Sequence, residues 1–402
     1  MNLLTCDETG GYFSIPPLAF GMKWGWDMGV AGEKNQAGSG HRIVISGYFG
    51  FNNAGDEAIL TSMLGSLRKH IPGLGVTVIS GNPAQTAAQH RVKAIGRTDL
   101  PGIIGALKNS DLLISGGGSV LQDVTSSRSL MYYLGIVVLA QLCGAKVMFF
   151  GQGVGPIRRS FNRLVTGFVA DRVDLITVRE DASRRTLREL GVNRPPIRVT
   201  ADQVFCLQAA PDSRAKAILI QEGVSLDRPL VGIALREWQG LQGYKGAVAQ
   251  TADRLVDRYG VQIVFLPLQT PADMPVAQEV AGFMRAPSVV LSGDYGAREI
   301  LALTGKMDFI IGMRLHALIF AAVQGVPMVG LVYDPKVEDF LTLVDQPAAG
   351  WVADLTAPAL EECVEDIWPR RGEVGARLRE QGQKLVQLAQ ENSRLVSSLL
   401  KG

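Results

Sequence analysis

The run "GMRLHALIFAAVQGVPMVGLVYDPK" at 312–336 sets Arg314, His316 and Lys336 at the edges of an otherwise apolar stretch. A strand–helix–strand unit has no packing use for a guanidinium, an imidazole and an ammonium at its loop ends. Burying such groups without an opposite charge is costly. Arginine grips a phosphate or carboxylate through two parallel N–H bonds, and lysine attracts either as a point charge. Histidine titrates near neutrality and can carry protons. The three together describe a receptor for a small, doubly anionic ligand, with an acid–base group beside it. Arg236 after "LVGIAL" and Gln269 after "VFLPL" stand at the ends of two further strand-like runs.

The first half of the chain offers three loops of a different kind. "SGYFGFNNAGDEAIL" (46–60) spaces glycines for tight turns and then opens a helix with Asp56 and Glu57. Either acid could complement the helix dipole or touch a sugar hydroxyl. The glycine spacing is not that of a dinucleotide fingerprint. "ISGGGSVLQD" (114–123) exposes backbone N–H groups around Gly117 that could cradle an anion or admit a sugar ring, with Gln122 and Asp123 as hydroxyl binders. It carries no Walker lysine. "GQGVGPIRRS" (151–160) places Arg158 and Arg159 after another strand-like run, and either could reach an anion in a cleft.

Positioning these loops requires a repeating scaffold. From His41 on, β-branched runs such as "RIVISG", "DLLISGGG", "KVMFFGQG" and "LITVRE" alternate with helical periodicity, which predicts parallel sheets covered by helices on both faces. The alternation breaks near 207–229 and then restarts. The expected organisation is an extension of low order over 1–40, an N-terminal Rossmann-like domain over 41–210, a C-terminal one over 211–373, and a helix over 374–402. In that helix Val374, Leu378, Leu385, Leu388, Leu395 and Leu399 recur at helical spacing, on either the second domain or the first. Open parallel sheets bind ligands beyond the carboxyl ends of their strands, so two such domains predict a cleft lined by the loops above.

Composition narrows the classes. Of 402 residues, 47% are hydrophobic and 19% charged, with a net charge of +2, so nothing argues for nucleic acid as a partner. Cys6, Cys143, Cys206 and Cys363 have no metal or redox spacing, which suits a reduced, cytoplasmic setting without a metal. No signal peptide is evident, and "LMYYLGIVVLAQLC" (130–143) is short for a membrane span, so it is expected to be a buried helix.

The motifs "GYFGFNNAGDEAIL", "SGGGSVLQD", "FFGQGVGPI", "VREDASRRTLRELGV", "TADQVF" and the 312–336 run, in this order over about 42–345, resemble the polysaccharide pyruvyl transferase family, in particular its bacterial cell-surface-anchoring enzymes. The resemblance implies a GT-B-like fold, two Rossmann-like domains facing across a cleft. It implies transfer of a pyruvyl group from phosphoenolpyruvate to a sugar as a cyclic ketal. In the cell-surface-anchoring branch that sugar is an N-acetylmannosamine on a lipid-linked cell wall polymer precursor, and the product serves S-layer anchoring. The family's Arg-x-His then falls on Arg314 and His316, its lysine on Lys336, and an arginine after Gly-Gln-Gly on Arg158 or Arg159, Arg158 being preferred. The expected roles are His316 as acid/base with Arg314. Arg158, Arg314, Lys336 and Arg236 would hold the donor. Asp56, Glu57, Gly117, Gln122 and Asp123 would hold the acceptor. No cofactor is expected, and membrane contact would be peripheral.

Two other classes use the same ingredients. A GT-B glycosyltransferase would want an acidic ribose contact in its second half, and neither Glu299 nor Asp308 stands out as one. A non-catalytic polysaccharide binder would present aromatic platforms, yet Tyr48, Phe49, Trp238 and Tyr244 do not cluster in a chain that is 7% aromatic.

Overall fold

A computed structural model describes residues 40–124 and 126–401; the extension expected over 1–40 lies outside these apart from Gly40. Strands β1 (Arg42–Ser46), β2 (Gly75–Ser80), β3 (Lys93–Gly96), β4 (Leu112–Gly116), β5 (Lys146–Gln152), β6 (Leu175–Val178) and β7 (Ile197–Val199) form one sheet in the order β3-β2-β1-β4-β5-β6-β7. Strands β8 (Leu230–Ala234), β9 (Gln262–Phe265), β10 (Ser288–Val290), β11 (Phe309–Gly312), β12 (Met328–Val332) and β13 (Ala348–Trp351) form a second, ordered β10-β9-β8-β11-β12-β13. Each named strand pair runs parallel. Central strands β4, β8, β11 and β12 are buried along their whole length, because helices cover both faces and every position must be apolar or small.

The chain winds outward from β1 to β3, then returns to add β4 beside β1. It does the same around β8 and β11. Each sheet therefore has a switch point, where helices depart to opposite faces and leave a crevice at the strand ends. The two crevices receive the loops after β1 and β4 and those after β8 and β11. They are joined at one seam: Asn53 bridges Gln269, and the Ala54 N–H donates to the Leu268 carbonyl at 2.8 Å.

The break near 207–229 contains a helix, Asp212–Gln221. Residues 130–142 lie in the Ser127–Leu142 helix, with Cys143 as its C-cap, and this helix packs beside the Ser160–Ala170 helix; it is only partly buried, since Val138 and Leu142 face solvent. Among the described residues no helix is long and apolar enough to cross a membrane. The C-terminal helix, Arg371–Lys401, spans both halves. Near its start Gly375 lies against the Gly325 carbonyl of the second half. Further on, Asn392 accepts from Thr200 Oγ1 at 2.9 Å and donates to the Ala201 carbonyl at 3.2 Å, both in the first. Lys146 also donates to the Leu399 carbonyl at 2.8 Å. Its buried face differs from the leucine stripe: Leu388 is 43% exposed, while Ala389, Asn392 and Val396 turn inward.

Candidate active site

A cavity of about 400 Å³ opens between the strand ends of the two sheets. Sheet one contributes Tyr48, Asn53 and Asp56 after β1, Gly117, Ser119 and Gln122 after β4, and Arg179 after β6. Sheet two contributes Arg236 after β8, Gln269 after β9, Arg314 and His316 after β11, and Tyr333 and Lys336 after β12.

Arg314 caps the Leu315–Gln324 helix with its backbone and gives no side-chain cap. The helix dipole at this end favours an anion, while the Ala317 N–H donates to the Arg314 carbonyl at 3.0 Å. The guanidinium is buried and anchored from behind. It pairs with Asp273 and donates to Gln269 Oε1 at 3.2 Å. Asp273 is itself fixed, accepting from the Leu268 and Gln269 N–H groups at 3.2 and 2.9 Å. Arg179 is held the same way by Asp202 at 2.9 Å and Glu180 at 3.0 Å, while its second Nη donates to Ser119. Lys336 lies 3.3 Å from Asp334. Arg236 is different: among the described residues no carboxylate lies within ion-pair distance of it. Its guanidinium sits 5.2 and 5.1 Å from the ring centres of Trp238 and Tyr333, and Tyr244 donates to its carbonyl. That charge is left for a ligand.

His316 lies in the first helical turn, and its ring rests on Gly55, where a Cβ would overlap the imidazole. Burial pushes its pKa down to about 4, Asp202 at 3.9 Å opposes that, and Arg179, Lys336 and Arg314 reinforce it. The imidazole is neutral at pH 7. Asp56 shifts the other way. Burial first, then Glu57, raise it to about 8 against the pull of Arg314, so it keeps its proton at neutrality. Gly118 allows this packing: its φ is +72°, and a Cβ there would stand 2.8 Å from Asp56 Oδ1. The helix cap is Asn53, which accepts from the Gly55 N–H, so Asp56 is not needed for capping. Of eight buried side-chain polar atoms without partners among the described residues, Arg236 Nε, Arg314 Nε and His316 Nε2 belong to this cavity. Each orphan of this kind costs about 1–3 kcal/mol, and a polar ligand would satisfy all three.

The structure thus brings together Arg314, His316, Lys336, Arg236, Asp56, Gly117 and Gln122. It does not bring in Arg158, Glu57 or Asp123. Arg158 and Arg159 are exposed and do not line the cavity, because Asp123 takes their backbone N–H groups at 2.8 and 3.0 Å and pins the loop. Burial opposes the charge on Asp123, but these donors and the Asn162 amide outweigh it and hold the carboxyl below its usual range. Asp123 is thereby a loop brace. Glu57 accepts from the Gly50 N–H at 2.7 Å and approaches His90 at 3.4 Å, facing a neighbouring cavity. The arginine that sequence reasoning missed is Arg179. It ends "LITV" as Arg236 and Arg314 end their strands, which was the available signal. Asp202 and Asp273 were also missed.

Two doubly wound parallel sheets whose loop ends meet across a cation-lined crevice define a GT-B-like protein. Residues 53–335 match the polysaccharide pyruvyl transferase family, and the chain belongs to that family of transferases. A curated relative, the amylovoran biosynthesis protein AmsJ of Erwinia amylovora, is 22% identical over 73% of this chain and 84% of its own. Among solved structures, S. aureus MnaA with UDP superposes with a TM-score of 0.64 at 13% identity, covering 89% of this chain and 95% of that one. The UDP-GlcNAc 2-epimerase of Neisseria meningitidis bound to UDP-GlcNAc gives 0.60 at 14% identity, covering 90% and 100%. Anabaena HepE with UDP and glucose gives 0.60 at 14%, covering 89% and 100%. These likenesses bear on the fold.

Proposed function

We propose that the chain moves a pyruvyl group from phosphoenolpyruvate onto two hydroxyls of one sugar, releasing inorganic phosphate and a cyclic ketal. The observation that carries this reading is the convergence of four cations with a neutral histidine and a protonated carboxyl on one cavity. The donor carries a phosphate and a carboxylate. Arg236 meets them with the freest charge, and Lys336, Arg314 and Arg179 add charges already held by carboxylates.

In the reaction the methylene carbon of the donor takes a proton and becomes a methyl group. Its neighbouring carbon forms two C–O bonds to the sugar and loses its bond to the phosphate oxygen. One hydroxyl proton replaces the one given to carbon, and the other leaves with phosphate. Neutral His316 is the base for an attacking hydroxyl, and Asp56 holds the proton for the methylene carbon. Oppositely shifted titrating groups in one site suit such a division of labour. Asp56, expected from sequence to touch the acceptor, serves the donor's methylene carbon in this scheme instead. Gly117 and Gln122 complete the acceptor side, and since protein cations meet the donor's charge, activity should survive a chelator.

The acceptor we propose is an N-acetylmannosamine residue of a lipid-linked secondary cell wall polymer precursor, met at the cytoplasmic membrane face, with a product that anchors S-layer proteins. The motifs shared with the cell-surface-anchoring branch support it; AmsJ, named for amylovoran biosynthesis, supports polysaccharide assembly more broadly. Thermal shift is the test, since a ligand that binds the folded state raises the melting temperature. Phosphoenolpyruvate should raise it, and Arg236→Ala should abolish the rise. Stabilisation by UDP-sugars alone would replace this reading with a nucleotide-sugar glycosyltransferase.

A further inference from the structure

The Ser160–Ala170 helix shows solvent an apolar stripe that the other described residues leave uncovered. Phe161, Leu164 and Phe168 are 67%, 71% and 59% exposed, and their spacing puts them on one helical face. Leu142, 79% exposed, ends the neighbouring helix. Gln141 donates to the Arg172 carbonyl at 3.0 Å, which sets that end beside the far end of the stripe. Apolar side chains grouped this way mark a contact surface.

The charge around the stripe selects the partner. From Val124 to Ala170 the chain has Arg128, Lys146, Arg158, Arg159 and Arg163 and no aspartate or glutamate. Arg128, Arg158, Arg159 and Arg172 are exposed, and Arg172 lies over the Phe168 ring at 3.5 Å from its centre. Arg158 and Arg159 stand at the positive end of the helix, where its dipole disfavours a cation, so helix stability does not account for them. The flanking acids are engaged: Asp123 with the Arg158 and Arg159 N–H groups, Asp171 with Arg194.

We infer that this helix face seats the protein on an anionic lipid surface, with the phenylalanines and leucines entering the headgroup boundary and the arginines meeting lipid phosphates. The face adjoins the active-site rim. Asn162, in the first turn of the helix, donates at 2.8 Å both to Asp123 and to Ser127 Oγ, and the neighbouring Ser126 and Gln122 line the cavity. A docked protein would hold its cavity near the membrane, where a lipid-carried sugar would arrive.

The test is flotation of the full chain with phosphatidylcholine vesicles, with and without phosphatidylglycerol, over a salt series. It needs no turnover, so it stands apart from the pyruvyl-transfer reading. The chain should float with the anionic vesicles and lose binding as salt rises. The triple variant Phe161→Ser, Leu164→Ser, Phe168→Ser and the pair Arg158→Glu, Arg159→Glu should each weaken binding about tenfold or more, with the melting temperature of the arginine pair unchanged. Absence of flotation with either vesicle would overturn the inference, as would equal binding to neutral vesicles. Self-association abolished by the triple variant would assign the face to a second copy instead.

Discussion

His316 and Asp56 carry opposite shifts because both lie out of water: burial disfavours the charged form of each, so the base loses its proton and the acid keeps one. In kcat/KM, which reports the free enzyme, activity should fall below about pH 4 and above about pH 8. Asp56→Asn should lower the rate on the order of 10²–10⁴-fold and remove the upper limb. The same substitution tests the shift through stability. The raised carboxyl stabilises the fold below its unfolded pKa and loses that contribution as pH rises toward about 8, so the melting-temperature difference between Asp56→Asn and wild type should grow over that interval. A constant difference would show that Asp56 titrates normally. At this scale the sequence spoke clearly for cations that end greasy strands, Arg236, Arg314 and Lys336. It misled at Arg158, since nothing local shows that Asp123 pins the loop. It hid Arg179, which Glu180 and Asp181 make look like part of a solvated charged run.

The elements place these groups through close approaches that only certain residues permit. Gly55 gives the Ala54–His70 helix room for the His316 ring of the facing half. Gly55→Ala should therefore displace the imidazole, lower kcat and destabilise by about 1–3 kcal/mol, measurable by urea titration beside turnover. Removing the brace behind Arg314 should cost more. Asp273→Ala leaves a buried guanidinium unpaired, a loss of about 3–5 kcal/mol. Strand periodicity made the strand ends legible, because a sheet buried on both faces reads as near-continuous apolar runs. The Arg314–Asp273 pairing was not legible, because it depends on how the turn after β9 folds back.

For the whole molecule, the two sheets meet at the Asn53–Gln269 seam and are spanned by the C-terminal helix. Sequence left open which half that helix packs on; the answer is both, and the buried Asn392 is the polar contact that fixes its far end. Asn392→Ala orphans the Ala201 carbonyl and leaves Thr200 Oγ1 only the Val178 carbonyl at 3.2 Å, and should cost about 1–3 kcal/mol in chemical unfolding, while leaving the pH limits of catalysis unmoved. In the proposed reaction the cleft moves a pyruvyl group from phosphoenolpyruvate to a sugar through His316. The most direct measurement is phosphate release from phosphoenolpyruvate, with and without an N-acetylmannosaminyl disaccharide acceptor, for wild type and His316→Ala. The account predicts release that requires the acceptor and falls on the order of 10²–10⁴-fold in the variant. Release that ignores the acceptor, or a His316→Ala protein that keeps wild-type turnover, would contradict it.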